Sequence, residues 1–206
     1  MKRTALLSVY NKTGIVEFAR RLKELGFDIL ASNDTARVLI QNQIPVTDVA
    51  IIVGPPFLGH GMVTLSRELH MALLAQDTPE DNAELARIGV PRIDLVYVNM
   101  YPLAEEIAKK DRTLESVVEK TDIGGPCMLR SAAKGRRIVL CIPAEMEMAI
   151  QHINKYGFMA GGILPESYIS GLVAIAEQEV ANYCGCSARF HQATAEYLRH
   201  SDIQSG

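Results

Sequence analysis

Apolar positions in the first two-thirds of the chain switch repeatedly between short unbroken runs and helical spacing. Residues 4–9 read as a strand buried on both faces, since the run Ala5, Leu6, Leu7 is flanked only by Thr4, Ser8 and Val9. Ile15, Phe18, Ala19, Leu22 and Leu25 then recur at helical intervals until Gly26 stops the helix. Residues 27–31 form a second short strand, and 35–43 predict a helix that ends before Pro45. Residues 46–53 are expected to be extended, and 54–61, rich in glycine and proline, form a loop. A helix is expected from about Thr64 to Gln76. The next has a clear start: Thr78 as N-cap, Pro79 in the first turn, then Glu80 and Asp81, with Gly89 at its end. Residues 93–100 are the strongest strand pattern, 114–119 are helical, and a helix opens at Pro126. Residues 138–142 are a last apolar strand. After Pro143 the pattern is largely helical, broken at 157–162.

Strands alternating with helices predict an α/β fold, doubly wound, with a mainly parallel sheet covered on both faces. The length suits one domain, 1–206, with an α/β core over 1–143 and a mostly helical extension over 144–206. In such sheets ligands bind beyond the carboxyl ends of strands, so strand-to-helix corners become the site candidates.

Composition narrows the partners. A net charge of −3 supplies no basic footprint for nucleic acid. No run reaches membrane-spanning length, and the short apolar stretch near the start is interrupted by Tyr10, Asn11 and Lys12. Four scattered cysteines do not make a disulfide framework, and Cys184-Gly185-Cys186 is too short for the usual zinc spacing, so no metal is expected. The chain reads as cytoplasmic with reduced thiols.

Four corners carry chemistry. Ser8, Lys12, Thr13 and Gly14 sit between the first strand and helix, a combination suited to an anion such as phosphate or, alternatively, to a polar capped turn. Ser32, Asn33, Asp34 and Thr35 follow the second strand. They either cap the next helix or add hydroxyls to a phosphate site into which Asp34 brings negative charge. Asn99 and Tyr101 follow the strongest strand, where the phenol either meets a ligand or packs under the loop. The fourth corner places Asp122 before Gly124, Gly125 and Pro126, with Arg130 and Lys134 four apart on one helix face. Its glycines leave the helix N-terminus open to a ligand; the alternative is a βα turn with a solvated basic face. His70 is read as a packed or surface histidine, and Tyr183 as core or interface.

Taken in order, Ser-Val-x-x-Lys-Thr-Gly, a Ser-x-x-Thr-Ala corner, Asn-x-Tyr-Pro, and Asp-Ile-Gly-Gly-Pro with Arg-Ser-Ala-Ala-Lys resemble IMP cyclohydrolase. That is the N-terminal domain of the bifunctional purine biosynthesis protein, whose fold is methylglyoxal-synthase-like. The resemblance runs from Thr4 to about Pro143 and more weakly to Tyr183. It implies closure of a purine ring: a formylated aminoimidazole carboxamide ribonucleotide loses water to become IMP, with no cofactor. It also implies that Ser8, Lys12, Thr13, Gly14, Ser32, Thr35 and Thr64 surround the phosphate. Asn99, Gly124, Gly125 and Arg130 would join the substrate site. Lys134 and Tyr101 would stabilise charge on the formyl oxygen, and Asp122 would orient the formamide or move a proton. The expected partners are the ribonucleotide, a separate formyltransferase and, compatibly, a second copy in a homodimer.

The chain departs from that family at named positions. Asn33 and Asp34 replace two glycines, Gly61 replaces an arginine, Val63 a lysine and Ser66 a histidine, while Glu179 and Cys184 flank Tyr183 in place of His and Asp. Two cations are thus absent from a site built for an anion. This keeps open a diverged paralog acting on a related ribonucleotide, or a non-catalytic domain that binds a phosphoribosyl ligand.

Overall fold

The computed structural model describes residues 3–54, 64–157 and 164–204, with side chains to residue 200. Its strands are β1 (Arg3–Val9), β2 (Phe27–Ala31), β3 (Thr47–Asp48), β4 (Leu95–Asn99) and β5 (Ile138–Leu140). They form one parallel sheet in the order β3-β2-β1-β4-β5. The helices are α1 (Ile15–Glu24), α2 (Asn33–Gln41), α3 (Ala50–Val53), α4 (Arg67–Leu74), α5 (Pro79–Arg87), α6 (Leu103–Ala108), α7 (Leu114–Glu119), α8 (Gly124–Lys134), α9 (Ala144–Tyr156) and α10 (Glu166–Gln204). The doubly wound α/β expectation holds.

The sheet follows from the apolar runs. β1 is paired along both edges and buries Thr4, Ala5, Leu6, Leu7 and Val9, so its middle is wholly apolar and its polar residues stand toward the ends. Asp94 sets its register against β4. One carboxylate oxygen accepts from the backbone N–H of Thr4 at 3.0 Å, and the other meets Arg3 at 3.1 Å and Arg92 at 2.7 Å. The order runs outward from β1 to β2 and β3 on one side, and from β4 to β5 on the other. Right-handed crossovers in opposite directions put helices on opposite faces. α1 packs with α2 and α9 on one face, and α8 with α4 and α10 on the other.

Several expected boundaries shift. Residues 46–53 are not one strand: after Asp48, its carboxylate accepts from the N–H of Ala50 at 2.8 Å and turns the chain into α3. The helix expected from Thr64 starts at Arg67, where the Ser66 hydroxyl accepts from the N–H of Leu69 at 3.0 Å and caps it. Pro126 stands third in α8 rather than first, still within the turn whose N–H groups have no helical partner. The loop expected from Pro55 onward, the positions Gly61 and Val63, and the break beyond Gly157 lie outside the described residues. The C-terminal helices share the core, with Ala149, Ile150 and Ile153 of α9 and Leu172, Ala176 and Val180 of α10 buried in it.

The joint between α4 and α8 leaves no room for a methyl group. A Cβ at Gly135 would lie 2.0 Å from the carbonyl oxygen of Leu73, which also accepts from Arg137 Nε at 2.7 Å. Gly135→Ala is expected to cost about 1–3 kcal/mol, the scale of overpacking, read as a lowered urea midpoint. An unchanged midpoint would contradict this contact.

Candidate functional site

The strand order reverses between β1 and β4, and the loops leaving their carboxyl ends diverge there, which opens a crevice. A cleft of about 550 Å³ occupies it, a size that suits a small ligand. Asn99, at the end of β4, ties its two sides together. Its side-chain oxygen accepts from the N–H of Asn11 at 2.9 Å, and its amide nitrogen donates to the Asn11 carbonyl at 3.1 Å and to the Tyr97 hydroxyl at 3.3 Å. The Asn11 side chain in turn accepts from the N–H of Thr13 at 2.9 Å. The β1–α1 loop is thereby locked to β4.

On the β1 and β2 side the cleft is lined by Ser8, Lys12, Ser32 and Asp34. The Lys12 ammonium donates to the carbonyls of Val9 and Tyr10. Burial lowers its pKa, and Asp34 opposes that while Arg37 adds to it. Ser32 is the N-cap of α2 but makes no side-chain cap bond, so the helix presents N–H groups there without their usual acceptor. Asp34 lines the cleft yet pairs with Arg37 at 2.5 Å, which answers part of its charge.

On the β4 and α8 side stand Tyr101, Thr64, Asp122, Gly124 and Gly125. An Asp122 oxygen accepts from the N–H of Gly125 at 2.9 Å. Burial nonetheless raises its pKa, against the lowering effect of N–H groups of Gly125, Tyr101 and Gly124. Tyr101 is raised too, first by burial and then by the Asp122 charge, so its phenol stays a proton donor at neutral pH. The two glycines admit protein rather than ligand. A Cβ at Gly124 would fall 2.3 Å from the Thr64 hydroxyl, and one at Gly125 would fall 2.6 Å from the Asp122 carboxylate.

Five expected site residues are not brought to the cleft lining. Thr35 is fully buried, and its hydroxyl accepts from the Val9 N–H at 3.2 Å and donates to the Val9 carbonyl at 3.3 Å, so it holds β1 to α2. Thr13 is exposed, and Gly14 is the left-handed N-cap of α1 at φ 76°. Arg130 turns to Glu177 of α10, with 2.9 Å between Nε and the carboxylate. Lys134 is exposed at the last position of α8, about 15 Å from Gly124 at 1.5 Å rise per residue.

Three residues at the site escaped the sequence reading. Tyr10 and Tyr101 meet edge to face with centroids 5.3 Å apart, and Lys120 lies 5.8 Å from both centroids. Tyr183 of α10 accepts from the N–H of Asp122 at 2.7 Å and donates to the carbonyl of Lys120 at 3.1 Å. Its pKa is pushed up to about 12, chiefly by burial. Adjacency of Lys120 to the Asp122 corner was the one available signal for that residue.

Among the described residues no helix is long and apolar enough to cross a membrane, and no group of three His, Cys, Asp or Glu stands ready for a metal. A family model described as MGS-like domain matches residues 14–127. The bifunctional purine biosynthesis protein PurH of Thermosynechococcus vestitus is 41% identical over 204 residues, covering 97% of this chain and 37% of that protein. The chain therefore spans little more than a third of that relative. The crystal structure of ForH is similar at 30% identity and TM-score 0.75, covering 93% of this chain and 100% of that one.

The half-buried Asp122 carboxyl makes a signed prediction. A carboxyl group whose folded pKa is raised contributes stability that is fully present below its unfolded value, 3.8 for Asp122, and is lost as pH rises through the folded value. Asp122→Asn is therefore expected to gain stability relative to the parent as pH rises from 3 to 7 in a series of urea denaturations. A gain in the opposite direction would mean that the carboxylate is stabilised by its N–H partners more than burial penalises it.

Proposed function

The chain belongs to the MGS-like domain family, and on that footing we propose that it is an IMP cyclohydrolase-type enzyme acting on a formylated aminoimidazole carboxamide ribonucleotide. The observation that carries the proposal is one cleft with two unlike ends: Ser8, Lys12 and Ser32 with an uncapped helix start, and across from them Tyr101 and Asp122. The likeness to a bifunctional purine biosynthesis protein supports placing the reaction in purine biosynthesis.

Both reacting groups belong to one molecule, so the protein's tasks are orientation and charge stabilisation. The carboxamide nitrogen bonds to the formyl carbon, the carbonyl pair moves onto oxygen, and the proton released by nitrogen ends on that oxygen. The hydroxyl then leaves as water with the proton of the formamide nitrogen as the ring C=N bond forms. Tyr101 donates to the formyl oxygen while its charge develops. Asp122, with its raised proton affinity, relays the proton from nitrogen. The 5′-phosphate takes the N-terminus of α2, Ser32, Ser8 and Lys12. A formyl-transfer reaction must supply this substrate. Lys134 and Arg130 receive no role in this cleft.

A second reading draws on Gly61 and Val63, which stand where the family has an arginine and a lysine. They favour a related ribonucleotide as substrate, or a binding domain without turnover.

Incubating the purified chain with the formylated ribonucleotide is expected to raise purine absorbance faster than the uncatalysed rate. Tyr101→Phe is expected to lower kcat about 10²-fold or more, as loss of an oxyanion donor does. Lys12→Ala is expected to raise KM about 10- to 100-fold, matching a lost charged hydrogen bond of about 1.5–3 kcal/mol. Binding without acceleration would replace the enzyme reading with the binding-domain one.

A further inference from the structure

Among the described residues that line the cleft, the cationic side chains are Lys12 and Lys120. Lys12 is committed to two loop carbonyls. Other basic side chains near this end of the molecule are committed to carboxylates, Lys109 to Glu106 and Arg130 to Glu177. Lys120 is held differently. It is the C-cap of α7, and its ammonium rests 5.8 Å from the centroids of both Tyr10 and Tyr101. A ring face attracts a cation without consuming its N–H groups as a carboxylate does, so they stay available to an oxygen in the cleft. The backbone from which it projects is fixed from behind, because the Tyr183 hydroxyl bridges the Lys120 carbonyl and the Asp122 N–H.

We infer that Lys120 contacts the substrate, placing its ammonium at the base end of a bound nucleotide against a ring or formyl oxygen. This rests on the ribonucleotide reading above. Its place at the base end follows from its neighbours. Its ammonium lies 5.8 Å from the Tyr101 ring, which follows β4, and as far from Tyr10 at the exit of β1, and its backbone lies two residues before Asp122. Ser32 and the start of α2 follow β2, two strand spacings away across the sheet, about 10 Å. One cation per end matches a ligand with a phosphate at one end and a polar heterocycle at the other.

Calorimetric titration of the full chain with inosine 5′-monophosphate and with ribose 5-phosphate separates the two ends. Lys120→Met is expected to weaken the nucleotide about ten-fold or more while leaving ribose 5-phosphate unchanged, and Lys120→Arg to recover most of the loss. Equal weakening of both ligands would make Lys120 a phosphate ligand and overturn the inference, as would no change in either. If the parent catalyses ring closure, Lys120→Met is expected to lower kcat about 10²–10³-fold with a smaller change in KM. A parent that binds the nucleotide through Lys120 but does not accelerate closure would remove the ring-closing activity and leave this contact standing. No nucleotide binding by the parent would overturn both.

Discussion

Strand β1 is hydrogen-bonded along both edges, to β2 from Arg3↔Phe27 to Leu7↔Ala31 and to β4 from Ala5↔Leu95 to Val9↔Asn99. With both edges paired and both faces covered, its middle, Ala5, Leu6 and Leu7, is wholly apolar, and polar side chains stand only toward its two ends. The chain leaves β1 toward β2 and leaves β4 toward β5, so the two exits part, and side chains from several elements converge in the crevice between them. Asn99 keeps that crevice in shape by holding the Asn11 backbone through both of its amide atoms.

Two acids of the crevice are answered differently, Asp122 by backbone donors and Asp34 by an ion pair. Asp122 loses solvation there and keeps its place through backbone N–H donors, which oppose the rise in its pKa without cancelling it. Asp34 brings a second carboxylate toward the β2 end, yet Arg37 stands one turn along α2 and pairs with it. Lys12 and Lys120 then supply positive charge at separate points along the cleft. A site that raises the proton affinity of an acid and a phenol together has the character expected of proton-transfer chemistry, and it gives up some stability to hold them.

Much of the fold was readable in advance because it rests on local pattern. The apolar runs of β1, β2 and β4, the Thr78–Pro79 start of α5 and the Gly26 and Gly89 stops are all decided within a few residues. Residues 46–53 misled for the same reason: a short apolar stretch fits a strand or a helix, and one Asp48 hydrogen bond selected the helix. Cleft-lining positions were readable where a strand end met a polar corner, as at Ser8, Ser32, Asn99 and Tyr101, whereas Asp122, expected at a strand-to-helix corner, lies in the turn between two helices, α7 and α8. Thr35 occupies such a corner too, but its hydroxyl is consumed by the Val9 backbone, a contact 26 residues away.

The sequence by itself determined the strand and helix alternation, the corners and the kinds of side chain at them, because each depends on spacing along the chain. Tertiary structure decided which of those side chains meet. Tyr183 reaches the Lys120 and Asp122 backbone across more than sixty residues, and Arg130 is drawn off to Glu177 on the same long helix. It also decided that Gly124 and Gly125 make room for Thr64 and Asp122, since only packing shows what fills the space beside a missing side chain. The fourteen-residue corner from Thr121 to Lys134 thus divides in two. Its acid and glycines sit in the cleft, while the rise of α8 carries its two cations away from it.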